Sequence, residues 1–365
     1  MAGLYIHIPF CASRCIYCGF YSTLHSELQD KYVDALCREM ELRNERPSIG
    51  TIYLGGGTPS QLSHEYLDKL FAHIYNRYRV EADAEVTMEC NPDDIRDNTF
   101  RNLPVNRVSM GAQTFSDKRL KFLHRRHTAA EVDSAVTLLH QQGIHNISID
   151  LMFGFPGETI SDWQQDIRHV LQLQPQHISA YGLMYEEGTP LYRLLLQNKV
   201  EEIDEELSLA MYDTLIDHLV DEGYEHYEFS NFALPGFRSR HNASYWHNIP
   251  YIGLGAAAHS YNLKTRSWNI ANVKQYIEAI GKGNLPSEEE DLDEQTKYND
   301  LITTALRTKE GINLSTLQSS CREFLLRNAK PHLVREFLLL ENNHIRFTRA
   351  GIKISNSIMA DLMKV

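Results

Sequence analysis

No apolar run in this 365-residue chain approaches the roughly 18 residues that a membrane-spanning helix needs. The opening MAGLYIHIPF lacks the basic start, apolar core and small-residue cleavage site of a secretory signal. A cytoplasmic protein with reduced thiols is therefore expected. Cationic excess is missing too: 36 Lys and Arg stand against 48 Asp and Glu, for a net charge of -12. That balance argues against a broad nucleic-acid-binding face and leaves room for a local basic pocket. There is no internal repeat and no low-complexity tract. Cysteine is scarce, at six residues. Cys37, Cys90 and Cys321 are scattered among helix- and strand-like segments, where small buried thiols are common. The other three stand together.

The length suits two domains, or one large α/β domain with an appendage. Short β-rich runs (LYIHIP, TIYLGG, EVTMEC, NRVSMG, ISIDLMFG, HISAYGL) alternate with amphipathic stretches such as YVDALCREMELR and AAEVDSAVTLLHQQG. This alternation predicts right-handed βαβ units around a parallel sheet, and six units predict a partial (β/α)6 barrel. The pattern blurs after Leu183. YEHYEFSNFA reads as a further strand, and residues 236–262, rich in Gly, His, Asn, Tyr and Trp, read as a binding loop. The acidic PSEEEDLDEQ, 286–295, is a boundary signal that is equally compatible with a solvated helix start. Beyond it a small helical or winged-helix-like domain is expected, with FLLLENNHIRFT as a helix end, a turn at Asn342-Asn343 and a short strand. The expected division is a barrel over 1–230, a connecting segment packed on it over 231–285, and a C-terminal domain over 286–365.

CASRCIYCGF, residues 11–20, gathers Cys11, Cys15 and Cys18 in one loop after the first strand. Structural zinc takes four protein ligands, usually as two separated pairs, and neither His7 nor His25 comes in such a pairing. Cysteine thiolates also hold iron–sulfur clusters, and three of them leave one iron of a cubane [4Fe-4S] cluster open. The C-x-x-x-C-x-x-C spacing resembles the radical S-adenosylmethionine (SAM) family. There the open iron chelates the amino and carboxylate groups of SAM, and electron transfer to the sulfonium releases a 5′-deoxyadenosyl radical. GGGTP, 55–59, follows an apolar run, and its glycines allow a backbone to approach a ligand closely. It resembles that family's SAM-contacting glycine motif. Glu89, Gln113, Arg125 and Asp150 fall at or just beyond predicted strand ends, where ligand sites of parallel sheets collect.

Further motifs narrow the branch. YIHIPFC, MECNPDD, GAQTF, SIDLMFGFPGET, ISAYGL and GLGAAAHSY resemble the clan of the oxygen-independent coproporphyrinogen oxidase, HemN, strongly to about residue 262. The resemblance implies that Tyr5, Gly57, Thr58 and Glu89 contact a first SAM. It puts Tyr17, Gln113, Arg125 and Asp150 around a second, whose presence the motifs leave open. His7 on the first strand and His259 are expected to face the cofactor cavity, the latter near the adenosine as the resemblance implies, whereas His124 and His127 are expected at the surface. The oxidase pattern has an additional cysteine where this chain has Phe20, and a long segment ahead of its cluster loop. Phe20 and HNASYW, 241–246, instead resemble the heme chaperone family, HemW.

HNASYW also has a reading of its own. His241 offers an imidazole nitrogen to heme iron, Tyr245 and Trp246 offer flat faces to a porphyrin, and Arg238 and Arg240 offer partners to propionates. The bland alternative is a loop whose aromatics pack on the barrel and whose histidine is merely hydrogen-bonded. Composition favours the bland reading and the resemblance favours heme. The implied function is binding heme and transferring it, with a [4Fe-4S] cluster and SAM, to apo-hemoproteins of respiration, with a homodimer as one working form. The competing class is a radical SAM enzyme, either a coproporphyrinogen III oxidase or a HemN-like methyltransferase.

Overall fold

The computed structural model describes residues 1–364. Along the first half run β1 (Ala2–Ile8), α1 (Gln29–Leu42), β2 (Ser48–Gly56), α2 (His64–Arg77), β3 (Arg79–Cys90), β4 (Arg107–Gln113), α3 (Asp117–Phe122), α4 (Ala129–Gln141), β5 (Asn146–Phe153), α5 (Ile160–Gln172) and β6 (His177–Gly182). Strands β1 to β6 lie side by side in chain order and pair in parallel. This is the α/β partial barrel that the alternation predicts.

Period-2 side-chain alternation explains why these strands curve around a polar interior. One face carries Leu4, Ile6, Ile52, Leu54, Val86, Met88, Val108, Met110, Ile147 and Ile149, all buried in one core with Val33, Leu36 and Met40 of α1. The other face carries Tyr5, His7, Thr51, Tyr53, Thr87, Glu89, Arg107, Ser109, Ser148, Asp150, His177 and Ser179. These polar groups bond across the strands: Tyr53 Oη donates to Glu89 at 2.8 Å, Ser109 to Asp150 at 3.2 Å, and Ser148 meets His177 at 2.8 Å. Capping boxes at Thr128/Glu131 and Thr159/Asp162 fix where α4 and α5 begin, and so fix the loops that follow β4 and β5.

The second half contains α6 (Pro190–Leu196), α7 (Glu205–Asp221), β7 (Glu225–Glu228), β8 (Asn231–Ala233), α8 (Arg240–Trp246), β9 (Tyr251–Leu254), β10 (His259–Tyr261), β11 (Thr265–Asn269), α9 (Val273–Gly281) and β12 (Ser287–Asp291). Strands β8 and β7 extend the sheet beyond β6. On the other edge β9 pairs parallel to β1, followed by β10, β11 and β12 in antiparallel order. The stretch 236–262, expected as a loop, thus holds a helix and two strands. The acidic run 286–295 is not only a helix start: Ser287–Asp291 is an exposed edge strand paired with β11. Its charges suit an unpaired edge.

A second core takes over at Tyr298, built from α10 (Glu294–Ala305), β13 (Ile312–Asn313), α11 (Ser319–Val334), β14 (Leu338–Glu341), β15 (His344–Phe347), α12 (Arg349–Ile352) and α13 (Ser355–Leu362). FLLLENNHIRFT is a hairpin, not a helix end. Asn342 and Asn343 both take positive φ (48° and 62°), as a two-residue hairpin turn requires. Lys309 N donates to Tyr227 O at 2.9 Å, and Arg349 Nε to Asp213 at 2.8 Å, tying this unit to the barrel. Among the described residues no helix is long and apolar enough to cross a membrane.

Candidate functional site

The cysteine loop leaves the C-terminal end of β1. Its base is closed by Cys11 N to Thr23 O (3.0 Å) and Thr23 N to Pro9 O (2.7 Å). Ile16 N donates to Leu123 O, and Leu191 N to Ile16 O, anchoring its middle to the end of α3 and the start of α6. Cys11, Cys15 and Cys18 are half-buried free thiols, and burial raises Cys11 and Cys18 above the ordinary thiol range. Thr58 Oγ1 donates to Cys11 Sγ at 3.5 Å, and Arg125 Nη1 to Cys15 Sγ at 3.6 Å. A loop of three thiols beside a guanidinium suits an anionic iron–sulfur cluster, because metal binding drives off the proton that burial retains. Phe20, directly after this loop, is 72% exposed.

The glycines beside the loop pack directly against the end of β1 and the residue after it. Gly57 N donates to Ile8 O at 2.8 Å, and a Cβ at Gly57 would lie 2.6 Å from the Pro9 carbonyl carbon. Gly56 has φ of 109°, and a Cβ there would meet the His7 ring. No side chain fits in this space. Glu89, half-buried, accepts from Tyr53 Oη (2.8 Å) and Gly56 N (3.0 Å), and the loss of solvent around it pushes its carboxyl up to about 7. Asp150 is pushed up to about 6 by burial, against hydrogen bonds from Ser179, Ser109 and Ser148 and the pull of Arg107. Arg125 Nη2 donates to Gly111 O (2.6 Å) and Asn91 Oδ1 (2.7 Å), while its buried Nε has no partner among the described residues. Tyr17 lies half-buried beside Arg125 and Cys15.

Gln113 ends β4 with φ of 67°, a left-handed conformation that needs external support. Asp166 on α5 supplies it, accepting from Thr114 Oγ1 (2.6 Å) and Phe115 N (3.0 Å). Arg119 then joins Asp166 to Glu158 at 3.4 and 3.2 Å, linking the loops after β4 and β5. A Cβ at Gly111 would touch both Gln113 and Arg125. Thr58, Glu89, Gln113, Arg125 and Asp150 therefore converge at one end of the barrel with the three thiols. Tyr5 lies deeper inside, its hydroxyl 3.0 Å from His7 Nδ1.

HNASYW is not there. It forms α8, and it crosses the opposite end of the sheet. Glu85 holds the helix start, accepting from Arg240 N (2.9 Å) and His241 N (3.0 Å). Ser239 caps it through Asn242 N. His241 is fully buried, with Nδ1 2.8 Å from Thr51 Oγ1 and Nε2 2.9 Å from Tyr245 Oη. Its ring stacks on Tyr53 at 5.0 Å. Burial, helped by the Arg107 charge, pushes its pKa down to about 3, so the imidazole is neutral. As folded, neither nitrogen is open to an iron. Arg238 is spent on Glu225 and Glu310 (2.9 and 2.7 Å), and Arg240 on the Asp83 carbonyl (2.6 Å), so neither awaits a propionate. Trp246 points elsewhere: its ring lies under the Arg307 guanidinium at 5.9 Å.

His127, expected at the surface, is buried and bonds to Ala112 O at 3.1 Å. His7 is buried within the barrel, and His259 is exposed beside Trp268. Sequence reasoning missed Tyr53 and Asn91, although each sits two residues from a residue it singled out, on the same strand face or just past the strand end.

Residues 5–170 match the model of the radical SAM superfamily. The heme chaperone HemW of Lactococcus lactis subsp. lactis is 34% identical over 97% of this chain and 95% of its own length. The heme chaperone HemW of Bacillus subtilis is 38% identical over 78% of each chain. The solved coproporphyrinogen III oxidase HemN of Escherichia coli superposes with a TM-score of 0.85 over 99% of this chain and 89% of its own, at 21% identity. That likeness establishes the fold.

Proposed function

The chain belongs to the family of the heme chaperone HemW, within the radical SAM superfamily, and from that premise we propose that it binds heme and delivers it to apo-hemoproteins, among them respiratory enzymes. The near full-length similarity to chaperones of that name carries the reading. Superfamily membership implies a [4Fe-4S] cluster and SAM, which together supply one-electron chemistry when bound. Cys11, Cys15 and Cys18 are the proposed cluster ligands, with SAM on the remaining iron. The unpartnered Arg125 Nε and the Glu89 carboxyl, beside the three thiols, support a SAM site at that end of the barrel. A cytoplasmic location and a homodimeric form belong to the same proposal.

Glu89 gives this site a pH signature. With its pKa near 7 in the ligand-free chain, it is half protonated at neutrality. The amino group of SAM, once on the iron, still carries N–H donors, and these are best accepted by the ionised carboxylate. Affinity is therefore full above about pH 7 and falls as pH drops through it, by up to about tenfold per pH unit. Calorimetric SAM titrations of cluster-reconstituted protein on either side of neutrality should give this slope, and Glu89→Gln should flatten it.

We further propose His241, Tyr245 and Trp246 as the heme-responsive element. Iron can take His241 Nε2 only if Tyr245 lets go of it. Anaerobic heme titration followed at the Soret band tests this. Wild type should saturate near one heme per chain, and His241→Ala should shift the band. Tyr245→Phe removes a hydrogen bond worth about 1 kcal/mol and should bind heme about fivefold more tightly. Unchanged spectra and affinities in both variants would place the iron ligand elsewhere, and no saturable binding by wild type would sink the chaperone reading.

A further inference from the structure

Between the barrel edge and the C-terminal unit lies a cavity of about 170 Å³, lined by Glu228 and Phe229 from the barrel and by Arg307, Lys309, Arg346 and Phe347 from the other side, with Arg349 at its wall. In a chain of net charge -12 this lining is the reverse of the whole: four cations face one carboxylate. Arg346 is paired with Glu341 and Arg349 with Asp213 and Asp217, whereas Arg307 and Lys309 have no ion-pair partner among the described residues. Glu228 is near enough for its charge to be felt by Arg307 but makes no ion pair with it or with Lys309, its carboxylate accepting instead from Ser230 N and the Asn231 amide. Arg307 lies between two aromatic faces, 5.5 Å from Phe229 and 5.9 Å from Trp246, and its Nε donates to Thr303 O. Trp246 Nε1 is buried and also without a partner among the described residues.

Trp246 Nε1 is a buried donor that costs about 1–3 kcal/mol while it stands alone, and beside it the half-buried Arg307 and the exposed Lys309 offer cations that no carboxylate among the described residues pairs with. Planar guanidinium recognition favours a carboxylate or a phosphate. The cavity is smaller than the roughly 300–1,000 Å³ of pockets that enclose a whole organic ligand, so it takes one limb of a larger molecule. Trp246, the last residue of α8, lies outside the lining and touches it through Arg307.

We propose that this cavity seats a carboxylate arm of the porphyrin, a propionate of heme, held by Arg307 and Lys309. The inference rests on the heme reading above and names the part of the ligand that this junction holds. The C-terminal unit is then part of the heme site: Arg307, Lys309 and Arg346 come from it, and α8 comes from the barrel side.

The test compares heme with its dimethyl ester, which has the same macrocycle and iron but no carboxylate, on the full-length chain. Wild type should bind the ester about tenfold more weakly. Arg307→Gln should bind heme about tenfold more weakly than wild type does, yet bind the ester as wild type does. Lys309→Gln, at an exposed position, should show the same pattern to a smaller degree and decides the matter if Arg307→Gln has a lowered thermal midpoint. If wild type binds both ligands alike, or the variants weaken both by the same factor, the cavity holds no propionate and the chaperone reading stands. If wild type binds neither, the heme reading fails and this inference falls with it.

Discussion

Replacing Cys11, Cys15 or Cys18 singly with alanine should remove nearly all iron from the reconstituted chain, to below about one-tenth of the roughly four irons per chain that a cubane cluster holds. SAM binding should fall with it, since one iron is the proposed anchor for its amino and carboxylate groups. The other cysteines make this a discriminating experiment. Cys37 is buried on α1 against the core, and Cys90 is fully buried at the end of β3, where burial raises its thiol well above the ordinary range. Cys321 sits in the second core, 3.1 Å from Lys364 Nζ. Alanine at any of these three should leave iron content unchanged. Cluster assembly needs thiols that can be reached from outside, which sets aside the sealed Cys37 and Cys90, and needs several in one loop, which sets aside the half-buried but solitary Cys321. Iron loss in Cys90→Ala at the same level as in Cys15→Ala would overturn the three-ligand assignment, since Cys90 lies at the same end of the barrel.

Much of this site is legible in the sequence for a simple reason: its residues follow strand ends. Once β1 to β6 are placed by their alternation, Cys11, Gly57, Glu89, Gln113 and Asp150 are forced toward one end by topology alone. The outer, apolar half of each strand is what identifies it. The inner half, with Tyr53, Thr87, Arg107 and His177, looks like interruption until the curvature of the sheet turns it into a lining. HNASYW fails for the opposite reason. Its conformation depends on Glu85 and Thr51, more than 150 positions earlier, and no local pattern announces that a carboxylate on β3 will hold a helix start. The motif was legible as a motif and illegible as a place. SEEED misled through composition, because four acidic residues suggest solvent, and an edge strand is also solvent. The Asn342-Asn343 turn carried a hairpin signal that an apolar Leu run overrode.

Glu39→Ala should be the most damaging substitution away from the cluster, lowering stability by about 3–5 kcal/mol and the thermal midpoint by roughly 10 °C. Glu39 is fully inaccessible and its carboxylate accepts five hydrogen bonds. Arg43 supplies two, at 3.0 and 2.8 Å, Asn269 one at 2.8 Å, Gly255 N one at 2.8 Å and Tyr276 Oη one at 2.6 Å. These partners come from α1, β11, α9 and the turn after β9, so one side chain fastens four pieces of chain along the edge next to β1. Alanine leaves the buried Arg43 guanidinium without its counter-charge and Gly255 N without an acceptor. A buried ion pair replaced on both sides by apolar residues often costs nothing. Here that repair should fail. The double variant Glu39→Leu with Arg43→Met removes the orphaned charge but still strands Gly255 N, Asn269 and Tyr276, so it should remain at least about 2 kcal/mol below wild type. Chemical denaturation of the three proteins separates the cases. Full recovery in the double variant would mean that Glu39 matters only as a partner for Arg43. Partial recovery would mean that the carboxylate serves mainly to hold the turn at Gly255, and through β9 the strand from which the cysteine loop springs.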